Sequence, residues 1–342
     1  MAVLIREPCC SSGRANRDLP FRKDVVNIVT LNRKLSRSAI LVTIVTGLFL
    51  VQSSGLLIFN ISGANAAVNQ TMMVPDNYTT INAAVGAASQ GETIFVRKGA
   101  CYENPIINKS LTIVAEEEGK TIIIGAGGLE RGAKPVFTLA ADNITLKGFT
   151  IQSQNYSSQT NYATGINVAG DNCSLIDNKI VGTYYGIFCS IQSSTLISAN
   201  NITDTLKDGI RICGGSANTI RDNMIVGNAQ SGIAIDGYID TIKDNLLLSN
   251  YRGIGLGASY SIVFNNSLSG NSESGLYIAA SNSLIVANNI TQSKWGVYVT
   301  SYFAAPNNNT FYHNNFADNT QPVGTSSVYN SEIWDNGSEG NY

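Results

Sequence analysis

The pattern of apolar and polar positions repeats about every 22 residues through the second half of the chain. A glycine marks each repeat, and successive glycines lie 21 to 23 residues apart. They are Gly165, Gly186, Gly209, Gly232, Gly253, Gly275 and Gly296. After each of the last six, two apolar residues flank one variable residue. This period of two predicts a short strand with one buried face.

An asparagine forms a second column in the same repeat. Its members are Asn178, Asn200, Asn223, Asn245, Asn266 and Asn288. An aliphatic residue stands three positions before each and another two positions after it, which predicts two further strands per repeat. Asn and Gly both tolerate left-handed backbone, and buried Asn amides can hydrogen-bond along a stack, so we expect both at corners. Asn228, Asn250 and Asn271 predict a second corner.

Repeats of this size predict a stacked architecture. Three short strands cannot form a core alone, so the units must stack and bury continuous ladders of side chains. The sequence therefore predicts an all-β parallel β-helix over residues 146–320. The rival solenoid is the leucine-rich repeat, but the aliphatic residues here are mostly Ile and Val, and no segment of a unit is long enough for a helix.

The region before the repeats, residues 75–145, is predicted to hold a cap and the first turns. Ile81, Ala84, Val85 and Ala88 share one helical face, so a short amphipathic helix is expected before Gly91. Such a helix would cover the open end of the core. Residues 321–342 are assigned to a C-terminal tail, which in similar chains is followed by further sequence.

The N-terminal part of the chain predicts export. Residues 1–38 are a basic leader, and residues 39–59 form an uncharged apolar run of 21 residues, followed by a linker at 60–74. The run is either a signal peptide cleaved after Ala66 or an uncut membrane anchor, and both remain open. Either one places the repeats outside the cytoplasm.

Charge narrows the choice of partners. The chain has 22 basic and 24 acidic residues, of which eight basic and three acidic ones precede Ser38. The rest of the chain therefore has 14 basic and 21 acidic residues and a net charge of −7. This balance argues against nucleic acid as a partner of the repeats.

Two segments carry a resemblance to a known family. The stretch PDNYTTINAAVGAASQGETIFVRKGACYENPIINKSLTIVAE resembles the opening of right-handed parallel β-helix proteins of the pectin-lyase-like kind. The repeats resemble the carbohydrate-binding and sugar-hydrolase β-helix domain shared with NosD-type periplasmic proteins, and NNTFYHNNFADNTQPVG is similar to the end of such domains in archaeal surface proteins. The likeness covers about Val74–Tyr342 and implies a right-handed β-helix without fixing an activity.

The resemblance also raises copper, because NosD-type proteins assist assembly of a copper enzyme. Copper prefers His, Met or thiolate ligands. Outside the leader this chain offers His313 alone, with Met72, Met73 and Met224 far apart. We therefore predict no metal centre of this kind, and delivery of copper is the third hypothesis for function.

The outward positions beside the glycine column are the candidate site. Asp208, Arg211 and Asp236 are the candidate catalytic residues, since two carboxyls serve glycoside hydrolysis and an arginine serves lyase or epimerase chemistry. The candidate ligand-binding residues are Tyr185, Phe188, Arg252, Tyr277, Trp295 and Tyr298. Aromatic rings pack on sugar faces, and charged groups bond to hydroxyls or uronates. The ordinary alternative is a solvated strand face.

Enzymatic motifs of the resembled proteins are missing from the repeats. We find neither the paired-Asp and His-Gly motifs of polygalacturonases nor the Asp-Pro-His motif of uronan epimerases. No cofactor is predicted. Ca²⁺ is left open at Asp222 and Asp244, although corner acids beside Arg221 and Lys243 explain that pair equally.

These observations lead to an exported or membrane-tethered scaffold or carbohydrate-binding module at the cell surface. The alternative is a polysaccharide-active lyase, hydrolase or epimerase.

Overall fold

The computed structural model describes residues 71–126, 134–154, 163–300, 307–326 and 331–342. All of them belong to one unit of the chain, Gln70–Tyr342. The predicted leader and the apolar run at 39–59 lie outside the described residues. Within the described part, no helix has the length and apolar character needed to cross a membrane.

Three parallel sheets run the length of the stack over the described residues. The first sheet has 12 strands, the second has nine and the third has ten. Each turn of the chain contributes one strand to each sheet, so neighbours in a sheet are a full repeat apart in sequence.

The first sheet consists of β1 (Met72–Val74), β2 (Thr93–Val96), β5 (Thr112–Ala115), β8 (Thr145–Lys147), β11 (Ser174–Ile176), β14 (Leu196–Ser198), β17 (Thr219–Arg221), β20 (Thr241–Lys243), β23 (Ile262–Phe264), β26 (Leu284–Val286), β29 (Asn307–Tyr312) and β31 (Ser331–Ile333).

The second sheet consists of β3 (Gly99–Cys101), β6 (Thr121–Gly125), β9 (Thr150–Ser153), β12 (Lys179–Val181), β15 (Asn201–Thr203), β18 (Met224–Val226), β21 (Leu246–Leu248), β24 (Ser267–Ser269) and β27 (Asn289–Thr291).

The third sheet consists of β4 (Ile106–Ile107), β7 (Phe137–Leu139), β10 (Ile166–Val168), β13 (Ile187–Cys189), β16 (Ile210–Ile212), β19 (Ser231–Ile235), β22 (Arg252–Leu256), β25 (Ser274–Ile278), β28 (Trp295–Val299) and β30 (Gln321–Thr325).

The register confirms the predicted parallel β-helix. Equivalent residues of successive repeats pair directly, as in Ile210 with Ile233 and Ile233 with Ile254. The aliphatic columns all point inward and are 0–1% exposed, so they form one continuous apolar core. Strand β1 lies in the segment assigned to the linker, and β30 and β31 lie in the segment assigned to the tail, so stacking extends beyond the predicted repeats at both ends.

A ladder of buried amides confirms the predicted role of the asparagine column. The Nδ2 atom of each Asn donates to Oδ1 of the next at 2.9–3.1 Å, from Asn178 through Asn314. A second ladder joins Asn228, Asn250 and Asn271. Buried polar groups must be paired, and here each turn satisfies the amide of its neighbour.

The backbone reason given for the asparagine column is wrong. The residue in left-handed conformation is the one before each Asn, for example Asp222 and Asp244 with φ of 57°. The column Asn is therefore required for its side-chain amide, and the preceding position carries the turn.

The glycine column also has a different cause from the predicted one, because none of its members has a positive φ. A Cβ at Gly253 would lie 2.5 Å from the Gly275 carbonyl oxygen and 2.6 Å from Leu268 Cδ2. The next turn thus approaches the backbone too closely for any side chain.

The predicted helix is present as α1, Ile81–Ala87. The Thr80 side chain accepts a hydrogen bond from the Ala83 N–H at 3.0 Å and so caps the first turn. Ile81, Ala84 and Val85 are buried. The helix contacts β1, β2 and β4, which lie at the N-terminal end of the stack.

Candidate functional site

The candidate catalytic and ligand-binding residues lie in or beside the strands of the third sheet. One column, in register, contains Phe188, Arg211, Ala234, Gly255, Tyr277 and Tyr298. The residues immediately before the column glycines add Tyr185, Asp208, Arg252 and Trp295. The face is divided into two groups of large side chains, with Ala234 and Gly255 between them.

The group nearer the C terminus forms a groove of aromatic rings. Tyr277 and Tyr298 stack with ring centroids 5.7 Å apart and planes inclined by 20°. Trp295 packs on Tyr298 with centroids 5.4 Å apart. The resulting aromatic groove has a volume of about 370 Å³ and is lined by Glu273, Tyr277, Lys294, Trp295, Tyr298 and Thr300. All three rings are half-buried, and the Tyr277 ring is in contact with both the Tyr298 ring and the Arg252 guanidinium.

Charged groups frame the aromatic groove. The guanidinium carbon of Arg252 lies 3.5 Å from the centroid of the Tyr277 ring, and Arg252 pairs with Glu273. Tyr251 Oη donates to Glu273 Oε1 at 3.0 Å. Lys294 is exposed, with Nζ 6.0 Å from the Trp295 ring.

Sequence reasoning did not select Glu273 and Lys294. Both stand two positions before a column glycine, where Lys207 and Tyr251 stand in other repeats. Extending the columns by one residue would have found them, since that position reaches the same face.

The group nearer the N terminus combines aromatic rings with an ion pair. Tyr185 and Phe188 have ring centroids 5.4 Å apart. Arg211 Nη2 pairs with Asp236 Oδ2 at 2.6 Å, and Arg211 Nε donates to Cys213 Sγ at 3.4 Å. Each of the two groups thus contains one arginine–carboxylate ion pair, Arg211–Asp236 here and Arg252–Glu273 at the aromatic groove.

Asp208 is the buried acid of this group, with 5% exposure. Its Oδ1 accepts a hydrogen bond from the Ser231 N–H at 2.8 Å. Burial raises the pKa of Asp208, and the neighbouring Arg211 partly opposes that shift. Burial, together with the Asp208 charge, also raises the pKa of Tyr185.

The two candidate catalytic acids lie at opposite ends of the strand. The Asp236 N–H bonds to the Ile212 carbonyl at 2.9 Å, which places Asp236 beside Cys213 on the previous turn. Asp208 lies two residues before β16, on the same turn as Arg211. Arg211 pairs with Asp236 and also opposes the rise in the pKa of Asp208, so this arginine acts on both acids.

The corner acids considered for Ca²⁺ have cationic neighbours. Arg221 pairs with Asp222, and Lys243 Nζ lies 3.8 Å from Asp244 Oδ2. Across the described ranges, no cluster of three or more His, Cys, Asp or Glu side chains could hold a metal ion.

The fold defines a parallel β-helix protein, and the third sheet carries large aromatic and charged side chains on its outer face. The chain belongs to the NosD family of periplasmic copper-binding proteins, whose family model matches residues 38–259 and 141–342.

Three proteins illustrate what the chain is similar to. A cell surface glycoprotein of Methanothermus fervidus is 26% identical over 191 residues, which cover 54% of this chain and 31% of that protein. The ORF18 protein of Geobacillus virus E2 has a TM-score of 0.59 at 12% identity, and the match covers 77% of this chain and 57% of the viral protein. An alginate lyase of Paenibacillus sp. str. FPU-7 has a TM-score of 0.54 at 14% identity, and the match covers 76% of this chain and 94% of the lyase. At these identities the two solved structures establish the fold alone.

The candidate copper ligands named from the sequence lie apart in the described residues. His313, the one histidine of the chain, bonds to Glu339 at a corner near the C terminus. Cys189 is fully buried in the core, where burial raises the pKa of its thiol, which disfavours a thiolate ligand. Met72 lies in β1 and Met224 in β18, in different sheets.

Proposed function

We propose that this protein is an exported cell-surface β-helix that binds polysaccharide on the outer face of its third sheet and does not cleave it. The observation that carries the proposal is the aromatic groove, where three half-buried rings and an exposed lysine line one concavity. Apolar ring faces with a few placed polar groups are the usual composition of a ligand site.

The chemistry of the groove suits a sugar ring. The half-exposed rings of Trp295 and Tyr298 offer apolar contact to the C–H groups of a pyranose. Glu273 and Lys294 stand at the groove wall, where a carboxylate can accept and an ammonium can donate hydrogen bonds to hydroxyls. Such paired apolar and polar contacts fix the orientation of a ligand.

Surface location is supported by the comparisons. A relative is described as a cell surface glycoprotein, and the family as periplasmic. The apolar run at 39–59 would act as a membrane anchor or a signal peptide in this proposal. Scaffolding at the surface and glycan binding are compatible, since the inner core and the outer wall use different residues.

Catalysis by Asp208, Arg211 and Asp236 is the second candidate function. The raised pKa of the buried Asp208 beside Arg211 favours it, because perturbed acids are common in active sites. Asp236 is already engaged in an ion pair with Arg211, which disfavours its use in a two-carboxyl mechanism. A lyase or epimerase using Asp208 with Arg211 is the form of catalysis that this geometry leaves.

Binding and turnover should be measured together on the full chain. We would titrate it calorimetrically with uronans and with neutral glycans and analyse the same mixtures for shortened or unsaturated products. We expect retention of at least one glycan without products. Trp295→Ala should weaken that binding about tenfold or more, because it removes the largest ring of the groove.

Tyr260→Ala is the matched control, since Tyr260 is an exposed ring at a corner between β22 and β23. It should bind glycan like the unaltered chain. Equal losses in both variants, or no retained glycan at all, would overturn binding at the groove. Products that disappear in Asp208→Asn would instead establish the enzyme.

A further inference from the structure

Asn-x-Ser and Asn-x-Thr triplets recur along the chain and lie outside the aromatic groove. Nine of them fall within the described residues, and they begin at Asn77, Asn108, Asn143, Asn172, Asn201, Asn265, Asn289, Asn308 and Asn336. Such a triplet is the acceptor sequence for an N-linked glycan on an exported protein. The surroundings of each triplet determine whether a transferase can reach it.

In six of the nine triplets the middle residue is part of the packed interior. These residues are Ile144, Cys173, Ile202, Asn266, Ile290 and Asn309, and each is 0–1% exposed. The cause is the period of two, which turns the asparagine and the hydroxyl residue outward and the residue between them inward. Drawing such a triplet into an enzyme would remove a buried side chain from the core and break ladder hydrogen bonds.

Two further triplets are held beside the N-terminal helix. In the triplet of Asn77, the middle residue Tyr78 packs against the core. In the triplet of Asn108, the middle residue Lys109 donates from Nζ to three carbonyl oxygens at the C-terminal end of α1, at 2.7–2.9 Å. Both middle residues are therefore engaged in the packing of this end of the stack.

The triplet of Asn336, Gly337 and Ser338 is exposed along its whole length. All residues of the segment 335–339 are exposed, and none belongs to a strand. A Cβ at Gly337 would meet no heavy atom within 4 Å, so the backbone also stands clear of its surroundings. Among the nine described triplets, this one alone can enter a transferase without loss of core packing.

The hydrogen bonds of Asn336 direct its amide nitrogen to solvent. Its Oδ1 atom accepts from the Ser338 N–H at 3.0 Å, from Ser338 Oγ at 2.9 Å and from the Glu339 N–H at 2.8 Å. Two N–H donors identify that atom as the oxygen, because an NH2 group there would oppose them. Asn336 Nδ2 donates to no residue in the described ranges. By contrast, Asn265 Nδ2 donates to Asp244 Oδ1 at 2.8 Å.

We infer that Asn336 is a site of N-linked glycosylation. In this reaction the Asn336 Nδ2 atom forms a bond to the anomeric carbon of a sugar that is activated as a glycosyl phosphate. The bond from that carbon to the phosphate oxygen breaks, the phosphate leaves with the bonding electron pair, and Nδ2 loses one proton. The chain supplies the acceptor amide, and a transferase outside the cytoplasm supplies the activated sugar. The inference rests on the proposed function only for export of the chain.

Mass spectrometry of the full chain, purified from the cells that produce it, tests the site. After proteolysis we expect the peptide that contains Asn336 to be heavier by whole sugar residues and the peptide that contains Asn265 to have its unmodified mass. Ser338→Ala should abolish the modification and Ser338→Thr should retain it, because the triplet requires a hydroxyl. Ser338 is exposed, so neither change should alter the melting temperature.

A second experiment tests whether the fold selects the site. The full chain without glycan, and synthetic peptides that contain either Asn265–Ser267 or Asn336–Ser338, are incubated with an oligosaccharyltransferase and a lipid-diphosphate-linked oligosaccharide. Both peptides should be modified, whereas the folded chain should be modified at Asn336 and not at Asn265. Equal modification of the two sites in the folded chain would contradict selection by the fold.

The outcomes separate this site from the aromatic groove. An unmodified Asn336 in the chain from its own cells, or a modification that persists in Ser338→Ala, overturns the inference. Binding at the groove would still stand, since calorimetry measures it without any modification of Asn336. Failure of every glycan to bind contradicts the proposed function and leaves the modification site standing.

Discussion

Asp240 is a carboxyl in a buried ladder otherwise built from amides and hydroxyls. Asn218 N and Nδ2 donate to its Oδ1 at 2.8 and 3.0 Å, and the Asp240 N–H donates to Ser261 Oγ at 3.1 Å. Its Oδ2 is buried without a hydrogen bond. Asp240 is fully buried, and this raises its pKa to about 6. The sequence shows the column, but it does not show that one oxygen lacks a partner.

We predict that Asp240→Asn stabilises the protein at pH 8 and has little effect at pH 4. The pKa in the unfolded chain is near 3.9, so the folded state binds the proton more tightly. The carboxyl therefore carries no penalty below about pH 4, and stability falls as pH rises through the window from about 4 to 6. The gain at pH 8 should reach at most about 3 kcal/mol.

Urea unfolding at both pH values measures this difference. Asp318→Asn is the control, because Asp318 is exposed and has the same left-handed backbone as other corner residues. Identical pH dependence in Asp240→Asn and the unaltered chain would show that the buried carboxyl is not the titrating group.

At the scale of the strand, alternation with a period of two predicted which residues face the core. Ile210, Ile233 and their equivalents are all fully buried. The period gave less information about the outer side. Ala234 points outward and is nevertheless only 4% exposed. The period also did not show why glycine recurs, since close approach of the next turn depends on the coiled backbone.

Two glycines of strand β22 should respond oppositely to alanine. We predict that Gly253→Ala destabilises the protein by about 1–3 kcal/mol, since the new methyl group overlaps the Gly275 carbonyl. Gly255→Ala should be neutral or stabilising by up to about 1 kcal/mol, since the site has room and alanine loses less entropy on folding. Denaturant unfolding compares them directly, and similar losses in both would mean that position 255 is not open.

At the scale of the molecule, the repeat period predicted the stack and brought Tyr185, Arg211, Tyr277 and Trp295 to one wall. It did not predict that the large side chains of this wall separate into an aromatic groove and a second group around Arg211. That division depends on how far each side chain reaches, which spacing alone does not show. The ion pair between Arg211 and Asp236 was likewise not visible from the spacing of the repeats.

The central claim is that a glycan occupies the outer face of the third sheet. Covalent footprinting of the full chain, with and without an acidic oligosaccharide, tests this most directly, because it reports which side chains a ligand covers. The account predicts protection of Tyr277, Trp295 and Tyr298, with Tyr238 and Tyr260 labelled equally in both samples. Protection confined to Tyr238 and Tyr260, with the three groove rings unchanged, would contradict it.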